Sequence, residues 1–167
     1  MGQVNLARID ERLIHGQVMI TLSQREGVNS IFVVDDIVAK DKFMKDLYKS
    51  AGGRTGQKTI VVSVNKAKEY WDEYTFKDYT PILICKTVDV IYDLVTHGIP
   101  MKELNLGGIA QKAPTDKRVT KSVYMNEQDA KKLKELNEKY GVENIYFQST
   151  PSAEKTSLQS VLAMFNL

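Results

Sequence analysis

Between Ala7 and Val18 the chain reads ARIDERLIHGQV, which places Arg8, Asp10, Glu11, Arg12 and one of only two histidines, His15, in one short segment. A neutral imidazole is a good nucleophile, and as a phosphorylated cation it leaves readily, so His15 suits reversible phosphoryl transfer. Arg8 and Arg12 bring fixed charge and forked donors for phosphate oxygens. Asp10 can bind one imidazole nitrogen and leave the other free to attack phosphorus. Gly16 and Gln17 would open a helix directly after His15. A helix start offers unpaired amides and a positive dipole end to an anion, and Gly16 would let the backbone come close to it. The same residues also have a reading without chemistry. In it Arg8, Asp10, Glu11 and Arg12 form loop-stabilising ion pairs, and His15 is an ordinary helix-start residue. From the residues alone both readings stand.

The elements that must position this segment are legible as alternating β-branched runs and helical patterns. Val4 to Arg8 reads as a first strand and Gly16 to Gln24 as a helix. SIFVVDD from Ser30 has the continuous apolar middle of a strand covered on both faces. A helix from about Asp41 to Ala51 follows, ended by Gly52 and Gly53. KTIVVSV from Lys58 and PILICK from Pro81 read as strands, with a short helix near Lys66 to Asp72 between them. Thr87 reads as the N-cap of a helix from Val88 to Thr96, stopped by Gly98 and Pro100. ELNLGG from Glu103 is a strand running into a glycine turn. RVTKSVYM from Arg118 alternates like an extra strand near an edge. Asn126 caps a helix to Tyr140 that buries Ala130, Leu133 and Leu136, with Gly141 at its end. VENIYFQS is a last strand and Leu158 to Phe165 a terminal helix. Strands separated by helices imply right-handed βαβ crossovers. The expected fold is α/β: a single domain over residues 1–167 with an open, largely parallel, doubly wound sheet and helices on both faces. Ligands in such sheets bind beyond the carboxyl ends of the strands, the edge at which ARIDERLIHGQV leaves the first strand.

Other candidates at that edge are Gly107 and Gly108 after the ELNLGG strand, and Lys86 with Thr87 after PILICK. All four can face the same phosphate. For the glycines the plain reading is a tight turn, and for Thr87 a helix cap. Asp35 and Asp36 end a strand, but no further acid sits at a matching strand end to complete a magnesium site. His97 falls just past a helix end, where a cation complements the dipole. Cys85 lies mid-strand and reads as core. Two histidines and one cysteine so dispersed exclude a zinc site, and GGRTGQKT from Gly52 lacks the spacing of a P-loop. Neither metal nor organic cofactor is expected.

The 23 basic and 21 acidic side chains of this 167-residue chain nearly cancel, which argues against a nucleic-acid binder. One cysteine permits no intrachain disulfide and is compatible with a reducing cytosol. The opening MGQVNLARIDERL does not read as a signal peptide, and no apolar run approaches a membrane span. Any membrane role therefore acts through a partner.

RIDERLIHGQV closely resembles the active-site segment of the IIB components of the mannose–fructose–sorbose family of bacterial phosphotransferase systems. The likeness is ungapped and includes His15. VVDD from Val33 and LNLGG from Leu104 also resemble family segments, and the order of elements is similar over nearly the whole chain. The resemblance implies that His15 accepts a phosphoryl group from the phosphohistidine of a IIA partner. It then passes the group to a sugar held by membrane-embedded IIC–IID partners. By the same likeness Arg12 matches the phosphate-contacting position and Asp10 the histidine-orienting one. The family also implies a cytoplasmic protein associated with the membrane transporter, and makes a homodimer plausible. The alternative is a non-catalytic regulatory or phosphate-binding α/β domain. Leu22 departs from the family, in which tryptophan is frequent there.

Overall fold

The computed structural model describes residues Met1–Leu167. Its first five main strands are β1 (Leu6–Asp10), β2 (Ser30–Val34), β3 (Lys58–Val62), β4 (Pro81–Cys85) and β5 (Glu103–Gly108). A small pair, β6 (Lys117–Arg118) and β7 (Tyr124–Met125), precedes β8 (Asn144–Phe147) and β9 (Thr156–Ser157). The helices are α1 (Gly16–Ser23), α2 (Asp36–Lys40), α3 (Lys42–Gly53), α4 (Val64–Tyr74), α5 (Val88–His97), α6 (Glu127–Lys139) and α7 (Leu158–Ala163). One seven-stranded sheet runs in the order β3-β2-β4-β1-β5-β8-β9. All its pairings are parallel except β8–β9. The expected architecture is the observed one, with β1 near the middle between β4 and β5.

Burial explains the strand sequences. β1, β2 and β4 are buried along their whole length, so both faces of each must be apolar or internally paired. Leu6, Ile31, Val33, Ile82 and Ile84 project to one side, where α1, α2 and α3 close a smaller core layer. Ala7, Ile9, Phe32, Leu83 and Leu104 project to the other, under α4 to α7, in the larger layer. Strand alternation therefore puts Arg8 and Asp10 on the α1 side of the sheet.

Six of the seven helices start with a side chain that accepts from an amide of the first turn: Asp35, Asp41, Ser63, Thr87, Asn126 and Ser157. Each satisfies one otherwise unpaired donor. Helix α1 is the exception: its N-cap residue is His15, whose side chain makes no such bond.

Three local expectations change. The first strand starts and ends two residues later than Val4 to Arg8, so it includes Asp10. An extra helical turn, α2, precedes α3, because Asp35 caps Val38 N at 2.9 Å and breaks the run after Val34. The Arg118 segment adds no strand to the main sheet. It folds on itself as the β6–β7 hairpin, joined to the end of β5 by a bridge from Ile109 to Val123 and by Ser122 Oγ, which donates to Gly107 O at 2.8 Å.

Helix α6 shows the larger layer's contribution. Asn126 Oδ1 accepts from Asp129 N at 2.8 Å, Ala130, Leu133 and Leu136 are fully buried, and Gly141 leaves the helix at φ 73°. Leu133→Ala should lower the unfolding free energy by about 2–5 kcal/mol. It should appear as a lower urea midpoint with an unchanged slope; an unshifted midpoint would mean that this layer does not hold the fold.

Candidate active site

β1 ends on Asp10, and the chain turns at once: Leu13 N donates to Asp10 O at 2.9 Å. The turn forces Leu13 to φ 55°, a left-handed conformation that costs a non-glycine residue roughly 1–2 kcal/mol. Leu13 is fully buried in the smaller layer, and burying a leucine is worth about 1.5–3 kcal/mol, enough to offset the strain. Gly16 follows at φ 54° and opens α1. A Cβ there would meet nothing within 4 Å, so it is the positive φ that favours glycine at this position, rather than a close approach of the backbone.

The carboxylate of Asp10 is the meeting point. Its Oδ2 accepts from Arg8 Nη2 at 2.8 Å, Arg12 Nη2 at 3.2 Å and His15 Nε2 at 3.0 Å. Its Oδ1 accepts from Arg12 N at 3.0 Å and Arg12 Nε at 3.1 Å. Burial pushes the Asp10 pKa up. The hydrogen bonds from Arg12 and His15, with the Arg8 charge, outweigh burial and hold it below the usual carboxylate value. An ionised carboxylate only accepts, so His15 Nε2 carries a proton, and in the neutral ring the lone pair is on Nδ1. The His15 side chain is 24% exposed, so the ring is reachable from solvent.

Arg8 and Arg12 divide the work. Arg12 is 56% exposed on its side chain, and its Nη1 has no protein acceptor. Arg8 is buried, and besides Asp10 it bonds Asn105 Oδ1, Gln148 O at 3.4 Å and Ser149 O at 2.8 Å. Burial draws its pKa down, against the opposing charge of Asp10. The expectation that Arg8 reaches a phosphate is therefore corrected: its Nη donors are taken and it has no open face, so it supports Asp10 from beneath.

Gly107 and Gly108 do line this edge. The β1–β5 register slips between Ile9 and Asp10, so that Asp10 pairs with Gly108 and Gly107 is the extra residue. Such bulges re-aim a side chain. A Cβ on Gly107 would lie 2.2 Å from Arg8 Nη2, and one on Gly108 would lie 3.2 Å from Asp10 Oδ1. The glycines make room for the ion pair.

Lys86 and Thr87 make no hydrogen bond or ion pair with the His15 cluster and are engaged elsewhere. Thr87 Oγ1 caps α5 through Val90 N at 3.2 Å, and Lys86 Nζ lies 3.8 Å from Asp35 Oδ2. Gln17 is exposed on α1 and shares a shallow cleft with Thr150, Pro151 and Ser152. His97 pairs with Asp72 at 2.9 Å, far along the chain from this site. Cys85 is buried, and burial pushes its thiol up to about 12, which leaves it unreactive. No group of three or more His, Cys, Asp and Glu side chains is placed to hold a metal ion.

Sequence reasoning missed one side-chain support, Asn105, whereas a loop-stabilising ion pair of Glu11 was among its readings. Asn105 is buried and donates to Gln148 O at 3.1 Å while it holds Arg8; a lone amide inside the apolar run of β5 was the available signal. Glu11 ties the turn to the segment after β5, accepting from Ala110 N at 3.0 Å and pairing with Lys112. The carbonyls of Gln148 and Ser149 carry no side-chain signal at all.

The molecule is thus an open, largely parallel α/β protein with a partly exposed, carboxylate-bound histidine at the carboxyl edge of its central strand. The chain belongs to the sorbose-subfamily IIB components of the phosphotransferase system, whose family model matches residues 4–166. It is 34% identical to the sorbose-specific EIIB component of Klebsiella pneumoniae over 84% of each chain. It is 31% identical to the mannose-specific EIIAB component of Escherichia coli K12, covering 80% of this chain and 41% of that longer protein. Among solved structures, manxB of Thermoanaerobacter tengcongensis superposes with a TM-score of 0.89 at 37% identity, over 99% of this chain and 98% of the other. The IIB domain of the Klebsiella sorbose permease gives 0.84 at 31%, over 98% and 96%. As a IIB component, the protein is a phosphotransferase that takes a phosphoryl group from IIA and passes it to a sugar.

The depressed Asp10 pKa has a consequence for stability. A carboxylate that titrates lower in the folded than in the unfolded chain stabilises the fold above its unfolded pKa, near 3.9. That contribution is lost as pH falls through the lower folded value. Asp10→Asn should therefore be clearly destabilised at pH 7, because it leaves buried Arg8 unpaired, by about 3–5 kcal/mol. The gap from wild type should narrow as urea titrations move below pH 4. A gap that stays constant with pH would refute the charged role of Asp10.

Proposed function

We propose that His15 carries the phosphoryl group on Nδ1. The observation that supports this most is the bond from His15 Nε2 to the buried Asp10, which leaves Nδ1 as the nitrogen with a free lone pair. Nδ1 attacks the phosphorus of a IIA phosphohistidine, the new N–P bond forms, and the donor imidazole leaves. Positive charge develops on the accepting ring, and the Asp10 carboxylate, already ionised, stabilises it through Nε2–H. In the onward step a sugar hydroxyl oxygen attacks the phosphorus, the O–P bond forms as the N–P bond breaks, the hydroxyl proton passes to solvent or to a base beside the sugar, and His15 returns to its neutral, Asp10-bound tautomer.

Arg12 is the phosphate donor of this reading. It is exposed, three residues before His15, and has a free Nη1 beside the donors that hold Asp10. The transition state of phosphoryl transfer is loose, with charge spread over three oxygens. The first amides of α1, those of Gly16, Gln17 and Val18, have no acceptor within the helix and no side-chain cap. They add donors for the same anion. Gly107 and Gly108 serve by admitting the Arg8–Asp10 pair.

No helix is long and apolar enough to cross a membrane. The reading therefore places the sugar in membrane IIC–IID partners and this chain on their cytoplasmic side, alternating between them and a IIA donor. The EIIAB name of the mannose-specific relative supports the IIA partnership.

Incubation with phosphoenolpyruvate, the general phosphotransferase proteins and a IIA partner should add one phosphoryl group, read by intact mass. The group should be acid-labile, sit on Nδ1 by nitrogen NMR of the imidazole, vanish in His15→Ala and persist in His97→Ala. Phosphate on Nε2, or on the His15→Ala chain, would overturn the assignment.

For Arg12, a positioned donor is worth about 3 kcal/mol, or roughly a hundredfold in rate. Arg12→Ala should slow transfer by about that factor, with Arg12→Lys between the two because it keeps the charge and loses the fork. Stopped-flow transfer at the wild-type rate in Arg12→Ala would reduce Arg12 to a holder of Asp10.

A further inference from the structure

The most exposed large apolar side chains, the terminal Met1 aside, are Phe43 at 75% and Ile37 at 74%, and Leu47 follows at 51%. All three fall on α2 and α3. Phe43 and Leu47 are four residues apart and share a face of α3, and Ile37 lies on the short helix packed beside it. The same stretch carries Lys40, Lys42, Lys45, Lys49 and Arg54. Its acids are engaged: Asp36 accepts from Val64 N at 2.8 Å, Asp41 from Met44 N at 3.1 Å, and Asp46 pairs with Lys42 at 2.7 Å. Lys40, Lys45, Lys49 and Arg54 make no ion pair and outnumber the two capping carboxylates, Asp36 and Asp41, so the stretch around the apolar trio has a basic excess that forms its rim.

The α2 end of this surface stands at the His15 edge of the molecule, and α3 runs back from there along the sheet toward the start of β3. Helix α2 leaves β2 at the same carboxyl edge at which the His15 turn leaves β1, and Val38 of α2 shares the smaller core layer with Leu13 and Ile14. We propose that the α2–α3 face docks on an anionic lipid leaflet, with Ile37, Phe43 and Leu47 in the headgroup boundary and the free lysines at lipid phosphates. The proposal rests on the phosphocarrier reading only for its purpose, which is to bring His15 to a membrane-held sugar.

The basic rim decides between lipid and membrane protein. Cytoplasmic loops of membrane proteins carry an excess of Lys and Arg, which repels such a rim, whereas anionic headgroups attract juxtamembrane cations. Three apolar side chains with no lipid anchor give reversible binding. That suits a carrier that must leave the surface to reload from IIA.

The test is co-sedimentation of the full chain with vesicles of phosphatidylglycerol and phosphatidylethanolamine, against vesicles of phosphatidylcholine. Binding should need the anionic lipid and fall with salt. A chain carrying Ile37→Ser, Phe43→Ser and Leu47→Ser should bind on the order of tenfold more weakly, with an unchanged melting temperature and an unchanged rate of phosphorylation by IIA in solution. No binding to the anionic vesicles, or equal binding of the variant, overturns the proposal. Slower loading by IIA without lipid would make the face a IIA dock, and a changed sedimentation coefficient would make it a contact between copies; either outcome also overturns it. Vesicle binding that persists in a chain failing to take phosphate at His15 would sink the carrier reading and leave the surface.

Discussion

The buried carboxylate of Asp10 sets the terms for everything around it. Removing an ion from water costs several kcal/mol even after relaxation, and that cost is repaid only by a close, well-bonded partner. Asp10 is fully buried at the end of a central strand, so it must have Arg8 beneath it. A guanidinium needs room, and the room comes from Gly107, which sits in the register slip between β1 and β5. The remaining Nη donors of Arg8 find acceptors in Asn105, Gln148 and Ser149, while its buried Nε has none. The outer side of the same carboxylate is left to Arg12 and His15, the two groups that face solvent. One ion pair thus orients the imidazole and stations the outer arginine.

The layers of the fold divide stability from presentation. The larger layer under α4 to α7 is apolar and closed, with capped helices and no polar network facing the site. The smaller layer holds the strained turn at Leu13 and the uncapped start of α1. A turn held by a buried leucine keeps His15 in place while its ring stays accessible. The α1 terminus keeps donors available that the other helices have already committed to side chains. Ile37, Phe43 and Leu47 lie on the outer side of α2 and α3, the helices whose inner side covers this layer.

Much of this was legible in the sequence. The alternation of β-branched runs with helical patterns yields the parallel α/β sheet, since strands covered on both faces must be continuously apolar. Thr87 and Asn126 could be recognised as caps because capping is a local bond between a side chain and an amide two or three residues on. The grouping of Arg8, Asp10, Arg12 and His15 about one strand end admitted phosphate chemistry and a loop of ion pairs alike, and the family resemblance, not the spacing, favoured the first. The short helix α2 was missed because five residues carry too little periodicity. The Arg118 segment was misplaced because alternation alone does not say which strand will pair with it.

The different fates of two arginines required the tertiary structure. Arg8 and Arg12 are the same residue type at neighbouring positions, and only strand alternation with a closed sheet decides that one is buried and the other exposed. The choice between the imidazole nitrogens likewise depends on where Asp10 points after the bulge. Asn105 and the carbonyls of Gln148 and Ser149 come from strands nearly a hundred residues or more away, and no local pattern records that meeting. By itself the sequence determined the elements, their caps and the chemical types gathered at one strand end, because those follow from local bonding and periodicity. Only the tertiary structure decided which of those groups is support and which is reactive, because burial and long-range hydrogen bonding exist only once the sheet is assembled.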